Sequence, residues 1–99
     1  MNSENNISEL LKALEDSDDD IRGNAAFALG NIGSEKAILG LLKALEDSHE
    51  YVRRNAAKSL GKIASETAIP RLLKALKDSD GDVRGCAAFA LSKINSIRL

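Results

Sequence analysis

The feature that most limits how this chain can fold is a threefold internal repeat. The segment over residues 10–17 recurs, nearly unchanged, at residues 41–48 and again at residues 72–79. The step between copies is 31 residues each time. A fixed period of this length is typical of a stacked architecture, in which each unit buries its apolar face only against its neighbours. Such scaffolds usually present an extended binding surface, so the repeat favours a binding protein over an enzyme.

Each repeat is predicted to contain two α-helices. In the middle repeat, Ile38, Leu41, Leu42 and Leu45 follow the i, i+3, i+4, i+7 spacing of one buried helical stripe. An acidic turn follows, and a second apolar face begins at Val52. The same two patterns occur in the other repeats. The sequence therefore predicts an all-α fold, a short right-handed α-solenoid of three helix pairs and six helices built on a 31-residue repeat.

Particular residues are predicted to begin and end the second helices. Ser17 and Ser79 each precede an acidic residue by three positions, the spacing of a capping box. Gly33 and Asn95 stand where a left-handed residue would end a helix, and Ala64 is a poorer residue for the same position.

The chain is predicted to form one domain. Residues 1–6 are polar and lack the apolar pattern, so we expect a disordered tail there. A single domain then covers residues 7–99, with repeats at about 7–35, 36–66 and 67–97.

The composition limits which cellular compartment and which class of partner we expect. The net charge of −1 argues against a nucleic-acid backbone as the main ligand. The single cysteine cannot form an internal disulfide, so nothing points to an oxidising compartment. No signal peptide or membrane-spanning run is visible. We expect a cytoplasmic protein that does not use a membrane.

One aspartate and one arginine recur in every repeat, six residues apart. One interpretation is an anion site built from three arginines. The alternative is a structural ladder, in which each arginine bridges aspartate carboxylates of its own and the neighbouring repeats. The one-to-one pairing of charges favours the ladder, because a planar guanidinium can hold carboxylates on two repeats at once. The ladder residues are Asp16, Arg22, Asp47, Arg53, Asp78 and Arg84.

We predict no metal site, no cofactor and no catalytic residues. The first acidic turn resembles a calcium loop, but Ile21 stands where the loop needs glycine and Phe27 where it needs glutamate. His49 is the only histidine, which we interpret as a solvated turn residue. Cys86 has no flanking base to activate it, so we interpret it as a half-exposed spectator. Enzymatic activity is left open but unsupported.

The repeats differ mainly on one face of the second helices. On a helical wheel Phe27 falls almost opposite the core, Phe89 shares its position, and the middle repeat has Lys58 there. Exposed aromatic and cationic side chains on a rigid surface are typical of interface hot spots. The alternative is that the rings pack between adjacent repeats. The predicted partner-binding residues are Phe27, Asn24, Asn31, Tyr51, Arg54, Asn55, Lys58, Lys62, Phe89 and Lys93.

Three of these residues form a short basic stripe. Arg54, Lys58 and Lys62 lie at i, i+4 and i+8 of one helix. Three cations beside acidic turns are too few to follow a nucleic-acid backbone. An acidic protein segment or a carboxylate-bearing tetrapyrrole fits the stripe as well.

The repeated phrases resemble HEAT-like repeats of the phycobilisome-lyase type. Residues 37–48 carry the pattern Ala-Ile-x-x-Leu-Leu-Lys-Ala-Leu-x-Asp-Ser, and residues 52–63 carry Val-Arg-x-x-Ala-Ala-x-x-Leu-Gly-x-Ile. The resemblance covers roughly residues 7–97. It implies a HEAT-like solenoid whose second helices line a concave binding face. Family members include subunits that attach or remove bilin chromophores, and many more are adaptors.

The resulting expectation is a non-catalytic scaffold that binds another protein on the concave face. The alternative is a subunit or chaperone of a bilin lyase-type system, with a bilin or phycobiliprotein as partner. Lyase activity is implied by the resemblance alone.

The last helix suggests one further partner, a second copy of the chain. It ends in apolar residues at Ile94, Ile97 and Leu99, without a polar cap. We therefore expect self-association through the solenoid ends, or an origin in a longer or designed array.

Overall fold

Six α-helices make up the protein in the computed structural model, which describes the backbone of residues 3–98 and the side-chain burial of residues 6–95. They are α1 (Ser3–Ala13), α2 (Asp19–Ile32), α3 (Ile38–Ala44), α4 (Glu50–Ile63), α5 (Ile69–Ala75) and α6 (Gly81–Arg98). One-turn 3-10 helices at Glu35–Ala37 and Glu66–Ala68 lead into α3 and α5. Residues 3–98 contain no strand, which confirms the all-α prediction. None of these helices has the length and apolar character needed to cross a bilayer.

The helices stack as three pairs in a short α-solenoid. Each first helix (α1, α3 or α5) packs on the second helix of its own pair, and the most extensive packing joins α2 to α4 and α4 to α6. The molecule measures 35 × 30 × 15 Å, so its thickness is that of two layers of helices. The second helices therefore form the layer that holds the repeats together.

Aliphatic side chains fill the core, as the repeat pattern predicts. The largest fully buried residues include Leu29, Leu41, Leu60, Leu72 and Ile94. No aromatic ring is among the buried residues, so all three rings lie outside the core. Close packing of small and aliphatic side chains is consistent with tightly spaced helices.

Four residues that the pattern places in buried stripes are exposed, because no further repeat covers them in the described chain. Leu42 is only 7% exposed, whereas its counterpart one repeat later, Leu73, is 52% exposed. At the other edge Ile21 is exposed although its counterpart Val52 is fully buried. The other two are Ile32 and Leu76. Burial in a solenoid thus depends on the neighbouring repeat as well as on the helical pattern.

The two ends of the chain depart from the prediction or fall outside it. The helix α1 begins at Ser3, so residues 3–6 are helical where we expected a disordered tail. Met1 and Asn2, and the side chains of Ile97 and Leu99, lie outside the described residues. Self-association through the solenoid ends stays a prediction.

The second helices begin at residues other than the predicted Ser17 and Ser79. Asp18 has extended backbone angles, and its carboxylate accepts a hydrogen bond of 2.8 Å from the backbone N–H two residues on. Nδ1 of His49 accepts the corresponding bond at 3.1 Å, and the carboxylate of Asp80 accepts one at 2.9 Å from the N–H three residues on. These side chains satisfy N–H groups that have no partner inside the helix. His49 is therefore a helix cap rather than a merely solvated residue.

The ends of the second helices confirm one predicted stop and correct another. Gly33 is left-handed, with φ of 75°, as expected of a glycine stop. Ala64 also adopts a left-handed conformation, with φ of 60°, although its Cβ makes this cost about 1 kcal/mol. Asn95 is not a stop, because α6 continues past it to Arg98.

The second helices approach so closely that glycine is required at their contacts. A Cβ added to Gly30 would lie 2.7 Å from the Cα of Ser59, and one added to Gly61 would lie 2.8 Å from the Cα of Ala90. Backbone atoms at these distances cannot give way as a flexible side chain would. The buried Ser59 hydroxyl also donates a hydrogen bond to the carbonyl of Ala26, which joins α4 to α2. Sequence reasoning missed this bond, because serine stands there only in the middle repeat.

The arginines of the predicted ladder clamp each repeat to the next. Arg53 donates two hydrogen bonds to the Asp78 carboxylate, with Nε at 2.9 Å and Nη2 at 3.1 Å. Its Nη1 donates to the backbone carbonyl of Asp47 at 2.8 Å. Arg22 repeats this geometry one unit earlier, on Asp47. The prediction is corrected in one respect, since the contact within a repeat uses a carbonyl rather than a carboxylate.

The arginine ladder lowers the pKa of the aspartates that accept its hydrogen bonds. Burial alone would raise the pKa of Asp47, but hydrogen bonds from Arg22 and from the His49 N–H outweigh burial and place the pKa below its usual value. The pKa of Asp78 is lowered for the same balance of reasons, through Arg53 and the Asp80 N–H. Both carboxylates are therefore charged at neutral pH, as a clamp of this kind requires.

Replacing Arg53 should destabilise the fold more than replacing Arg84. Arg53→Met removes a two-point clamp on a carboxylate, so we expect the free energy of unfolding to fall by about 2 kcal/mol. The exposed Arg84 makes one hydrogen bond to the Asp78 carbonyl, at 2.7 Å, so Arg84→Met should cost no more than about 0.5 kcal/mol. Urea denaturation followed by circular dichroism measures both. Equal losses would contradict the ladder.

Two glycine substitutions should have opposite effects on stability. Gly30→Ala forces α2 and α4 apart, and we expect a loss of about 2 kcal/mol. Gly85→Ala should instead raise stability by up to about 1 kcal/mol, because alanine favours helix and no heavy atom lies within 4 Å of the added Cβ. Thermal and urea unfolding of the two variants provide the comparison. A neutral Gly30→Ala would show that the close approach is not required.

Candidate functional site

The two phenylalanines lie on the exposed surface of the second helices, as the helical wheel predicts. Phe27 on α2 is 43% exposed and Phe89 on α6 is 63% exposed. Lys58, which occupies the same repeat position on α4, is also exposed. These three helices form one layer, so the three side chains belong to one side of the molecule. Their role in binding remains a prediction.

Each phenylalanine ring has a lysine over it. The Lys62 ammonium lies 4.8 Å from the centre of the Phe27 ring and donates a hydrogen bond of 2.6 Å to Oδ1 of Asn31. The Lys93 ammonium lies 5.4 Å from the centre of the Phe89 ring. An exposed contact of this kind contributes about 0.5–1 kcal/mol. The lysines therefore help to orient the rings while leaving much of their surface open to solvent.

Tyr51 packs between repeats instead of standing free on the surface. Its ring occupies the space in which a Cβ on Gly23 would lie, and its hydroxyl donates a hydrogen bond of 2.6 Å to Oδ1 of Asn24. No open room therefore remains over Gly23, one turn before Phe27. The Tyr51 ring is a structural contact between α2 and α4.

Asn55 is also placed differently from the prediction. It is only 6% exposed, and its side-chain amide donates a hydrogen bond of 2.9 Å to the carbonyl of Tyr51. Because it is buried, it offers no surface to a partner, and we correct its assignment as a binding residue. The Asn55 amide can be buried because the Tyr51 carbonyl supplies its hydrogen-bond partner.

The predicted basic stripe on α4 is divided among different contacts. Nε of Arg54 lies 3.6 Å from the Asp80 carboxylate, and its Nη1 lies 3.8 Å from the Asp82 carboxylate. Both distances exceed that of a hydrogen bond, and the buried Nε has no hydrogen-bond partner. Lys62 turns toward α2. Lys58 is exposed and forms no ion pair among the described residues, so the three cations of the stripe make three different sets of contacts.

A groove of about 430 Å³ separates α4 from α6 beside Phe89. It exists because the short Asp82 stands at the repeat position of Tyr51, so no ring fills the space beside Arg54, which is the counterpart of Gly23 one repeat later. Open room is therefore present beside Phe89. The lining residues are Arg54, Lys58, Gly81, Asp82, Gly85, Cys86 and Phe89.

Cys86 lines this groove as a half-buried thiol. Burial raises its pKa, and the nearby ammonium of Lys58 opposes that shift less strongly. The thiol is therefore neutral at physiological pH and is a poor nucleophile. Its environment does not support covalent catalysis.

The acidic residues at the start of α2 act in capping. The carboxylates of Asp18, Asp19 and Asp20 come within 4.8 Å of one another, and His49 lies 3.5 Å from Asp19. The Asp18 carboxylate already accepts a backbone hydrogen bond, and acidic groups are favoured at helix starts by the helix dipole. We assign no metal to this cluster.

The opposite layer has larger grooves between its helices. One groove of about 560 Å³ lies between α1 and α3, with Leu11, Leu14 and Gly40 among its lining residues. Another of about 560 Å³ lies between α3 and α5 and reaches the clamp residues Arg53 and Asp78. Neither contains an aromatic side chain, so they offer weaker anchors than the second-helix layer.

Comparisons with known proteins agree with the repeat architecture. The family model for HEAT repeats matches residues 7–96. A solved structure of the complex of CpcE and CpcF of phycocyanin lyase, from Nostoc sp. PCC7120, superimposes with a TM-score of 0.84 at 33% sequence identity. An engineered protein superimposes with a TM-score of 0.74 at 29% identity. No curated protein matches the chain.

The solved structures are longer than this chain. The phycocyanin lyase match covers 89% of this chain but 36% of that chain, and the engineered protein covers 97% of this chain but 47% of its own. The chain therefore spans less than half the length of either.

Replacing Tyr51 and replacing Phe89 should have different effects on stability. Tyr51→Ser removes a ring packed between repeats, and we expect the free energy of unfolding to fall by about 2 kcal/mol. Phe89→Ser removes a mostly exposed ring and its contact with Lys93, and should lower it by no more than about 1 kcal/mol. Chemical denaturation of both variants measures the difference. A large loss in Phe89→Ser would mean that its ring serves the fold.

Proposed function

Because the chain belongs to the family of HEAT repeat proteins, we propose that it is a non-catalytic scaffold that binds another protein on the concave face formed by α2, α4 and α6. The coarse assignment, a repeat-type interaction scaffold, follows from the fold. The observation that supports the finer proposal is the exposure of Phe27 and Phe89 on the side of the second helices that faces away from the core. Exposed rings on a rigid surface are what a partner can bury to gain affinity.

The spacing of the two helix layers supports the concave assignment. In an arc of stacked repeats, the inner layer has its helices closer together than the outer layer. The second helices touch backbone to backbone at Gly30 and Gly61, whereas grooves of about 560 Å³ lie between the first helices. This difference fits an arc with the second helices inside.

The two rings can supply a useful part of a binding energy. Burying the exposed part of a phenylalanine side chain contributes about 1–2 kcal/mol. Two such anchors with lysines beside them suit an interface of moderate affinity, since association also costs translational and rotational freedom. Partners with acidic groups near apolar side chains would match the rings and lysines together.

A second candidate function is supported by the likeness to the phycocyanin lyase complex. The identity of 33% extends over 89% of this chain. In that case the chain would be a subunit or chaperone of a bilin lyase-type system. Phe27 and Phe89 would stack on a flat tetrapyrrole, and Lys58 or Arg54 would hold its propionates. The Cys86 thiol beside Phe89 is neutral and a poor nucleophile, which makes this the second choice.

A capture experiment should identify the face that binds. Wild-type protein, a Phe27→Ser/Phe89→Ser variant and a Leu39→Ser control are immobilised and exposed to lysate of the source organism. Leu39 is a matched control because it is 81% exposed but belongs to α3, in the other layer. We expect a partner retained by wild type and control and bound at least about tenfold more weakly by the double variant.

Two results would count against the proposal. If the Leu39→Ser control loses the partner and the double variant keeps it, the first-helix layer is the binding face. If wild type shifts the absorbance of free bilin and the double variant does not, the second candidate function replaces the first. Circular dichroism of all variants confirms that each is folded.

A further inference from the structure

The groove between α4 and α6 has the shape and charge of a specific subsite. Resting on the proposed function, we propose that this groove is the anchor pocket for an acidic segment of the partner protein. One apolar side chain of that segment rests on Phe89, and an adjacent carboxylate pairs with Arg54 and Lys58. This subsite lies at the end of the binding face formed by α4 and α6. The pair formed by α2 and α4 has no equivalent space.

The room in the groove comes from a difference between otherwise similar repeats. Between α2 and α4 the Tyr51 ring covers Gly23, whereas between α4 and α6 the short Asp82 stands at the repeat position of Tyr51. Gly85 adds to the room on α6, because no heavy atom lies within 4 Å of a Cβ added to it. The volume of about 430 Å³ falls in the range of pockets that hold small ligands and single anchoring side chains. Phe89 forms one wall, so an apolar group entering the groove meets an aromatic surface.

A guanidinium that is held only by long ionic contacts favours a negatively charged occupant. The ladder arginines hold their carboxylates at 2.9–3.1 Å through two hydrogen bonds each, as Arg53 does with Asp78. Arg54 instead has its two acidic neighbours at 3.6 Å and 3.8 Å, and its buried Nε lacks a hydrogen-bond partner. The Arg54 side chain is 33% exposed, so a carboxylate in the groove can form charge-assisted hydrogen bonds with the exposed part of this guanidinium.

The charges around the groove permit such a carboxylate. Lys58 adds a cation without an acidic partner among residues 6–95, and Lys93 lies beside the Phe89 ring. Asp80 and Asp82 oppose it, but Asp82 is 74% exposed and its contact with Arg54 is long, so an incoming carboxylate can displace it. With two acids among the cations, the groove suits one or two carboxylates and not a phosphate backbone.

Short peptides provide a direct probe of the groove. The first is a pentapeptide with a central phenylalanine flanked by glutamates. In one control peptide glutamines replace the glutamates, and in the other serine replaces the phenylalanine. Binding is followed by amide chemical shifts of the ¹⁵N-labelled protein. We expect chemical-shift changes centred on residues 81–89 and a Kd of about 1 mM for the first peptide. Each control peptide should bind at least about fivefold more weakly. Equal binding of all three peptides would overturn the proposal.

Variants of the chain separate the groove from the rest of the face. Gly85→Leu fills the groove with a residue that favours helix, so the fold should be retained while peptide binding falls at least about tenfold. Lys58→Glu should weaken binding by a similar factor, because it replaces a cation of the groove by an anion. Ala88→Leu is the control, because residue 88 is exposed on α6 but does not line the groove. Loss of binding in this control would overturn the assignment of the groove.

The captured partner distinguishes this proposal from the broader one. If the partner binds Gly85→Leu and Lys58→Glu as well as wild type, but not the Phe27→Ser/Phe89→Ser variant, the groove proposal is wrong and the binding face stands. Competition for the groove by a single-stranded oligonucleotide more strongly than by the acidic peptide would replace the acidic segment by a nucleic acid. Loss of partner and peptide together in Gly85→Leu supports the anchor pocket.

Discussion

The close approach of the second helices is the constraint on which the rest of the structure depends. Glycine at residues 30 and 61 lets α4 and α6 settle against the backbone of the preceding second helix. At that spacing Arg22 and Arg53 reach carboxylates 25 residues ahead, and Tyr51 fills the gap over Gly23. Phe27 and Phe89 lie on the side of these helices that faces away from the core, so both rings stand on the surface. Packing and ion pairing between repeats therefore share one cause.

Much of the architecture could be predicted from the sequence, because a repeat reports the same local preference three times. The helical stripes around Leu41 and Leu60 and the stop at Gly33 were predictable from spacing and residue type alone. Burial at Leu73 and Ile21 was not, since it depends on a neighbouring repeat that the pattern takes for granted. The cap at His49 was hidden by its residue type, although Asp18 and Asp80 at the same repeat position pointed to a hydrogen-bond acceptor.

The candidate site was less predictable than the fold. A helical wheel assigns a direction to each side chain, and it placed Phe27 and Phe89 correctly on the surface. It cannot show that a large side chain bends over a neighbouring helix, which is how Tyr51 came to lie on Gly23. Nor can it show a buried amide such as that of Asn55, or the incomplete contacts of Arg54. These features arise between helices, where residues distant in sequence meet.

The direction of the arginine clamp has a consequence for how such a gene can change. Each clamp runs forward, from an arginine of one unit to an aspartate of the next, and never back. Unequal recombination that adds or removes one whole 31-residue unit would leave every internal arginine with an aspartate ahead of it. An insertion of a few residues in the turn that carries Asp47 would separate donor from acceptor. The clamp thus makes the whole repeat the natural unit of gain and loss during evolution.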